Sequence, residues 1–287
     1  MQTGLQIKFF EAGHCVHPGF VVKPGSGIKP RAFPSAVALI KHPIQGHILF
    51  DTGYHEHFFN ETRPFPERFY AWTTPCRYDK THGIVAQLAR ENLTPDDIDH
   101  IVLSHFHADH IAAISEFPNS QLHCQQQGLD AITKSSRVGG VRKGYLKELF
   151  PTHLYSNAVV HNSFPLSVSE IIPVFQNINL RCMDMFDDGL VYLVNLPGHA
   201  AGQMGLLIKR EQGWLFLLAD ACWLIESLSD NIDQHWLANM LCDDVNAYKI
   251  TLSELRRFYQ QGNHIVRFVP SHCQETIHKL IDEGWMK

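Results

Sequence analysis

The sequence predicts a mixed fold, α/β or α+β, and three observations predict it. Apolar β-like runs interleave with stretches of helical spacing along the whole chain. More strands follow one another directly than a pure βαβ winding would give. The 287 residues, 45% hydrophobic and 18% charged, suffice for a large core and leave disorder a poor reading. No repeat, low-complexity segment or linker divides the chain, so residues 1–287 read as one domain.

In chain order, "SAVALIKH" (35–42) and "GHILFDTG" (46–53) are β-like runs joined by the turn-rich "PIQG", a hairpin. Residues 58–78, rich in proline and aromatics, read as irregular. "THGIVAQLAREN" (81–92) has the apolar spacing of a helix. "IDHIVLS" (98–104) reads as a buried strand, "ADHIAAISEF" (108–117) as a short helix and "QLHCQ" (121–125) as a strand. Residues 126–187 hold helical pieces such as "GYLKELF" among loops without clear period. Strands return at 190–196, 204–209 and 214–219. A helix spans 246–262, with Gly262 as its closing residue. "HIVRFVP" (264–270) is the last strand and "QETIHKLIDEG" the last helix.

Charge and cysteine content narrow the function classes. Twenty-four Lys and Arg against 29 Asp and Glu leave a net charge of −5, with no run of like charges. A nucleic-acid surface would want a basic stripe, so none is expected. The apolar stretch "WLFLLADACWLI" (214–225) is too short for a membrane span and carries Asp220. The opening "MQTGLQIKFFEAGH" lacks a basic region followed by an apolar one, so no export signal is read. Seven cysteines without a C-x-x-C pair argue against both a disulfide framework and a zinc ribbon. A reduced cytoplasmic chain is the expectation. Nothing in the sequence sets an oligomeric state.

Histidine is the departure from ordinary composition, with 19 copies. "SHFHADHIA" (104–112) places His105, His107, Asp109 and His110 within six positions, directly after the apolar "IVL". The runs at 190–196, 214–219 and 264–270 lead into His199, Asp220 and His272, and "HILF" ends at Asp51. A lone histidine after a strand more often serves a turn. Four such endings, one with a four-residue cluster, place metal-competent groups where α/β folds place their sites. On an extended segment, His105 and His107 point to one side, whereas the adjacent Asp109 and His110 leave a first helical turn in different directions. Five imidazoles and two carboxylates without thiolate suit Zn²⁺, with Fe²⁺ or Mn²⁺ as substitutes, and are too many for one tetrahedral ion.

"HFHADH" resembles the H-x-H-x-D-H signature of the metallo-β-lactamase superfamily, and the remaining family positions follow in order. They are "DTG" at 51–53, "GHAAGQMG" at 198–205, "AD" at 219–220 and "PSH" at 270–272, so the resemblance spans residues 35–273. It implies a four-layer αββα sandwich with two divalent ions at one edge of the sheets. His105, His107 and His199 would hold one ion, Asp109, His110 and His272 the other, and Asp220 would bridge. Asp51 would steady the ligand loop through hydrogen bonds. A water shared by two such ions loses its proton near neutral pH, so a metal-bridging hydroxide would attack a lactone or carboxylic ester. Asp109 would carry a proton to the leaving group. Asp109 and Asp220 are thus the catalytic candidates.

Among hydrolases of this fold the sequence looks most like the quorum-quenching N-acyl homoserine lactone lactonases, through "ILFDTG", "LSHFHADHIAA", "LPGHAAGQMGLL", "ADA" and "PSH". Those lactonases commonly carry a tyrosine three residues after the bridging aspartate. This chain has Trp223 there. Trp223, Tyr54 and Tyr145 are the candidate substrate contacts, with Tyr192 a further available hydroxyl. A phosphodiesterase or thioesterase on the same ions is the alternative, and a non-catalytic sensor on the fold a second. Residues 58–78 and 126–187 are candidates for the substrate wall. "FPERFYAW" (65–72) with Phe150, Phe164, Phe175 and Phe186 could form an acyl-chain groove, although scattered aromatics more commonly fill a core. Arg137, Arg142 and Lys143 are candidates for an anionic substrate, a solvated loop being their usual fate. Cys15 and Cys273 read as inert thiols rather than nucleophiles.

Overall fold

The computed structural model describes residues 4–21 and 23–287; the first three residues of the stretch read for an export signal lie outside them. The chain opens with strand β1 (Gln6–Pro18), then β2 (Pro30–His42) and β3 (Gly46–Phe50). Helices α1 (Glu56–Glu61) and α2 (Arg68–Thr73), strand β4 (Cys76–Arg77) and helix α3 (Ile84–Arg90) follow. Next come β5 (His100–Val102), α4 (Ala108–Ile111), β6 (Gln121–Cys124), α5 (Gln126–Lys134) and α6 (Arg137–Arg142). The middle segment continues through β7 (Ala158–Val160), β8 (Leu166–Ser167), α7 (Val168–Ile171) and β9 (Arg181–Asp184). β10 (Val191–Asn195), β11 (Met204–Lys209), β12 (Trp214–Ala219), α8 (Glu226–Ser229), α9 (Trp236–Asn239), α10 (Val245–Gly262), β13 (Val266–Pro270) and α11 (Gln274–Glu283) complete it.

Two sheets form, in the orders β4-β1-β2-β3-β5-β6-β7 and β13-β12-β11-β10-β9-β8. Side-chain alternation sorts the strands into three apolar layers. Ile40, Ile48 and Val102 of the first sheet meet Leu193, Leu206 and Leu217 of the second in the central layer. Leu39, Leu49 and Ile101 point the other way, onto Phe58, Ile84 and Ile111 of the helices covering the first sheet. Val194, Leu207 and Phe216 pack outward on Leu252, Leu255 and Phe258 of α10. The result is the αββα sandwich that the sequence resemblance implied.

The hairpin at 35–53 and the strands at 204–209 and 214–219 lie where their apolar runs placed them. Three readings need correction. The thirteen-residue β1 went unread because its alternation breaks at Ala12–Gly13, where the pairing with β2 shifts register between Glu11 and His14. Residues 58–78, read as irregular, form most of α1, all of α2 and β4, and residues 126–187 contain β7, β8 and β9. Strands and helices of two to six residues are too short to show a period. α10 does close at Gly262, as its spacing predicts, and the open face of this glycine lies against Phe175 and Phe258, where a Cβ would stand 3.0–3.2 Å from their rings.

β3 and β5 are parallel, as are β12 and β13, so their C-terminal ends share one edge of the sandwich. The N–H of Met204, at the start of β11, donates to the carbonyl of Ser104 at 2.8 Å and ties the two sheets together at that edge. Among the described residues no helix is long and apolar enough to cross a membrane. All seven cysteines are free.

Candidate metal centre

The loop after β5 carries His105, Phe106 and His107, and His107, with an extended backbone, stands at the N-terminal boundary of the single turn of α4. Phe106 points outward and packs edge-on against Phe150, with ring centroids 5.2 Å apart. Its neighbours His105 and His107 therefore face the opposite side, with Asp109 and His110 rising from the turn. His199 comes from the β10–β11 connection, Asp220 from the end of β12 and His272 from the end of β13. A bulge between Leu217 and Ala219 turns Asp220 inward, and Ala219 takes a positive φ of 48°. A left-handed alanine costs about 1–2 kcal/mol, strain held at the residue before a site group.

These seven side chains converge. Ligand atoms of His105, His107 and His199 lie within 4.8 Å of one another, as do those of Asp109, His110 and His272. Asp220 stands between the trios. Its Oδ2 is 3.0 Å from His272 Nε2 and 3.4 Å from His199 Nε2, and its Oδ1 is 3.4 Å from His110 Nε2. His199 Nε2 and His107 Nδ1 are 3.2 Å apart, close to the spacing of two nitrogens on one tetrahedral ion.

The outward nitrogens are held from behind. His110 Nδ1–H donates to Asp51 Oδ2 at 2.7 Å, and His272 Nδ1–H to the Pro34 carbonyl at 2.8 Å. His105 Nδ1–H donates to Ser104 Oγ at 3.0 Å, which passes its own proton to Asp51 Oδ2 at 2.8 Å. Asp51 Oδ1 accepts the Ser104 N–H at 2.8 Å. Asp51, fully buried with φ of 62°, thus orients two of the five imidazoles at once. Burial pushes its carboxyl above the usual range, against the pull of His110 and Ser104.

The electrostatics favour a cation. Burial, then the neighbouring rings, holds His105 well below its ordinary value, and burial pushes His107 down and His199 to about 3, so all three present lone pairs at neutral pH. At the other trio burial also disfavours charge, but the carboxylates around His110 and His272 outweigh it and raise both. His105 Nε2, His110 Nε2 and Asp220 Oδ1 are buried without a hydrogen-bond partner. Buried polar atoms are seldom left so. The donor set and these three orphaned atoms fit divalent ions.

A pocket opens over the centre, lined by Tyr54, Tyr70, Val141, Gly144, Trp223 and Leu241 among others. Trp223 points into it, its Nε1–H donating to Asp220 Oδ2 at 2.9 Å. Tyr54 lines the wall, and its hydroxyl, buried near the Cys15 thiol, has no hydrogen-bond partner. Tyr145 lies behind His107, ring centroids 5.4 Å apart, and its hydroxyl accepts the Ala201 N–H. Tyr192 is on the outer face of the second sheet against Trp214, away from the pocket.

Of the segments read as substrate wall, Tyr70, Thr73 and Thr74 come from the first and Val141 and Gly144 from the second. Phe150 and Phe175 are core, and Phe164 and Phe186 pack on the central layer. Arg137 pairs with the buried Glu67, and Lys143 Nζ donates to the Cys242 carbonyl. Arg142 is exposed on α6. Cys15 is buried, which pushes its thiol up, and Cys273 is buried at the start of α11. Sequence reasoning missed His17 and Phe33, which line the pocket from β1 and β2, and the supports Ser104 and Pro34. Ser104 had a signal, lying directly before the histidine cluster; Pro34 had none.

Residues 30–121 match the Metallo-beta-lactamase superfamily. The N-acyl homoserine lactonase AttM of Azorhizobium caulinodans is 27% identical over 219 residues, 72% of each chain. The N-acyl homoserine lactonase AiiB of Rhizobium rhizogenes is 24% identical over 287 residues, covering 93% of this chain and 92% of its own. Among solved structures, an N-acyl homoserine lactone hydrolase with N-hexanoyl-L-homoserine bound at its catalytic metal center superimposes with a TM-score of 0.73, at 22% identity and 97% coverage of both chains. AidC, described as a dizinc quorum-quenching lactonase, does so at 0.58 and 15% identity, covering 96% of this chain and 89% of that one. The resemblance read from the sequence holds, and the fold is the metallo-β-lactamase fold.

Proposed function

We propose that the chain is a metal-dependent hydrolase of the metallo-β-lactamase type that opens the ring of an N-acyl homoserine lactone or a similar carboxylic ester. The observation that carries this reading is the placement of Asp220 between two trios of buried ligands, at the floor of a pocket with apolar walls. His105, His107 and His199 would hold one divalent ion and Asp109, His110 and His272 the other, with Asp220 shared. Such a pair supplies a water that gives up its proton near neutral pH and a Lewis acid for the ester carbonyl.

The chain's own groups do the rest. Ser35 Oγ–H holds the backbone carbonyl of Asp109, leaving the side chain on the pocket floor with Oδ2 3.4 Å from His272 Nε2. From there Oδ2 can take the proton of the attacking water and return it to the alkoxide oxygen that leaves the carbonyl carbon. Trp223 Nε1–H fixes Asp220. The unpartnered Tyr54 hydroxyl is the donor available to the substrate carbonyl.

The test pairs metal content with hydrolysis of a C6–C12 acyl homoserine lactone panel. The reading expects about two divalent ions per chain at the centre and ring opening that chelator and His107→Ala both abolish. Turnover of chromogenic phosphodiesters or thioesters in place of lactones moves the substrate class. Metal-loaded protein inert on all three is the result expected of a binding protein.

A further inference from the structure

Outside the pocket, a second set of metal-competent side chains meets where the chain after Asp51 passes the chain leaving α4. His55 caps α1, His57 stands in its first turn, and Glu116 belongs to the 3-10 turn 114–116. One ligand atom from each lies within 4.8 Å of the other two. His57 Nε2 is 2.8 Å from Glu116 Oε1, and the His55 and His57 ring centroids are 4.4 Å apart. His55 is buried while His57 and Glu116 are half-buried, so the set has a protein side and a water side. None of the three lines the pocket.

We propose that His55, His57 and Glu116 form a further site for a divalent transition metal, separate from the seven-ligand centre. Two imidazoles and one carboxylate, with water free to fill the remaining position, are a donor set that Zn²⁺ accepts. His55 is the buried member of the set, its ring beside that of His57. Its Nδ1 accepts the His57 N–H over a long 3.4 Å, a bond easily given up. Two ligand atoms on a tetrahedral zinc stand about 3.3 Å apart, so His57 and Glu116 need open by only about half an ångström. The competing cation, Lys80, is engaged with Glu56 at 3.4 Å.

The position gives the site a purpose. Between Asp51 and His55, Thr52 donates its N–H and hydroxyl to the His110 carbonyl at 2.8 and 3.0 Å. An ion on His55, His57 and Glu116 ties the same two segments together from outside and stiffens the backing of the ligand loop. Its role is structural, and the inference does not depend on the substrate proposed above.

The test is zinc stoichiometry on the full chain, stripped with chelator, reloaded with Zn²⁺ and freed of excess by gel filtration. His57→Ala and Glu116→Gln are each expected to retain one ion fewer than the wild type and to gain less in Tm from added Zn²⁺. Glu116→Gln keeps the shape and an acceptor for His57, so it guards against misfolding. A His105→Ala/His107→Ala chain is expected to keep the ion on His55, His57 and Glu116, which separates this outcome from any failure at the main centre. Equal zinc content and equal Zn²⁺-induced Tm gain in the wild type and both variants would overturn the proposal and leave an ordinary His–Glu pair.

Discussion

Asp51→Asn tests the architecture of the centre without touching a proposed ligand. Asp51 accepts three hydrogen bonds, from the Ser104 N–H, the Ser104 hydroxyl and His110 Nδ1–H. Asparagine tolerates the positive φ at this position and keeps an oxygen for the Ser104 N–H. Its amide group, however, turns N–H toward His110 Nδ1. His110 must then carry its proton on Nε2, the atom that faces Asp220, and lose the lone pair a metal needs. Supports of this kind are worth roughly 10–100-fold in metal affinity, or about 1.4–2.7 kcal/mol. Asp51→Ala adds an unsatisfied buried N–H, about 1–3 kcal/mol, and left-handed strain of about 1–2 kcal/mol, so it destabilises by roughly 2–5 kcal/mol. The assay is competition for Zn²⁺ against a chromogenic chelator, alongside thermal unfolding. Asp51→Asn should keep its apo stability within about 1–2 kcal/mol and lose affinity at one ion. Wild-type affinity for every ion in Asp51→Asn would refute the reasoning.

Other perturbations follow from the same geometry. Trp223→Phe removes the N–H that reaches Asp220 at 2.9 Å; a hydrogen bond to a charged group is worth about 1.5–3 kcal/mol, so kcat for the lactone should fall roughly tenfold to a hundredfold, and an unchanged kcat would show that the indole only fills space. Gly144→Ala would set a Cβ 2.9 Å from the His107 ring at a φ of 81°, so turnover and metal content should drop together; full activity would mean the ring has room to yield. His123 lies between His100 and His161, at 3.0 and 2.9 Å, and burial pushes it down to about 3. Because the folded chain holds this ring neutral and the unfolded chain protonates it near 6.5, its contribution is present above pH 6.5 and is lost as pH falls toward 3. The loss amounts to roughly 2–3 kcal/mol by pH 4.5. Denaturant unfolding across that range should show a flatter acid limb in His123→Asn, and identical limbs would exclude the ring as the cause.

The sequence by itself determined which residues could form the centre and at which strand ends they would lie. Both signals are local. "HFHADH" packs four ligand groups into six positions, and the apolar runs before His105, His199, Asp220 and His272 carry their period within a few residues. The hairpin at 35–53 and the strands at 204–209 and 214–219 were legible for the same reason. Only the tertiary structure decided the rest, because it depends on groups far apart in the chain. The Pro34 carbonyl that orients His272 lies 238 positions away, and Asp51 reaches His110 across 59. The direction of Trp223 shows only in the folded chain, where its indole N–H reaches Asp220 Oδ2, and the bulge at the end of β12 before Asp220 is announced by no residue pattern. His55 and His57 were plain as letters, but Glu116 joins them only because the turn after α4 folds back over α1. Composition and period belong to the chain, whereas the approach of distant side chains exists only once the two sheets have packed.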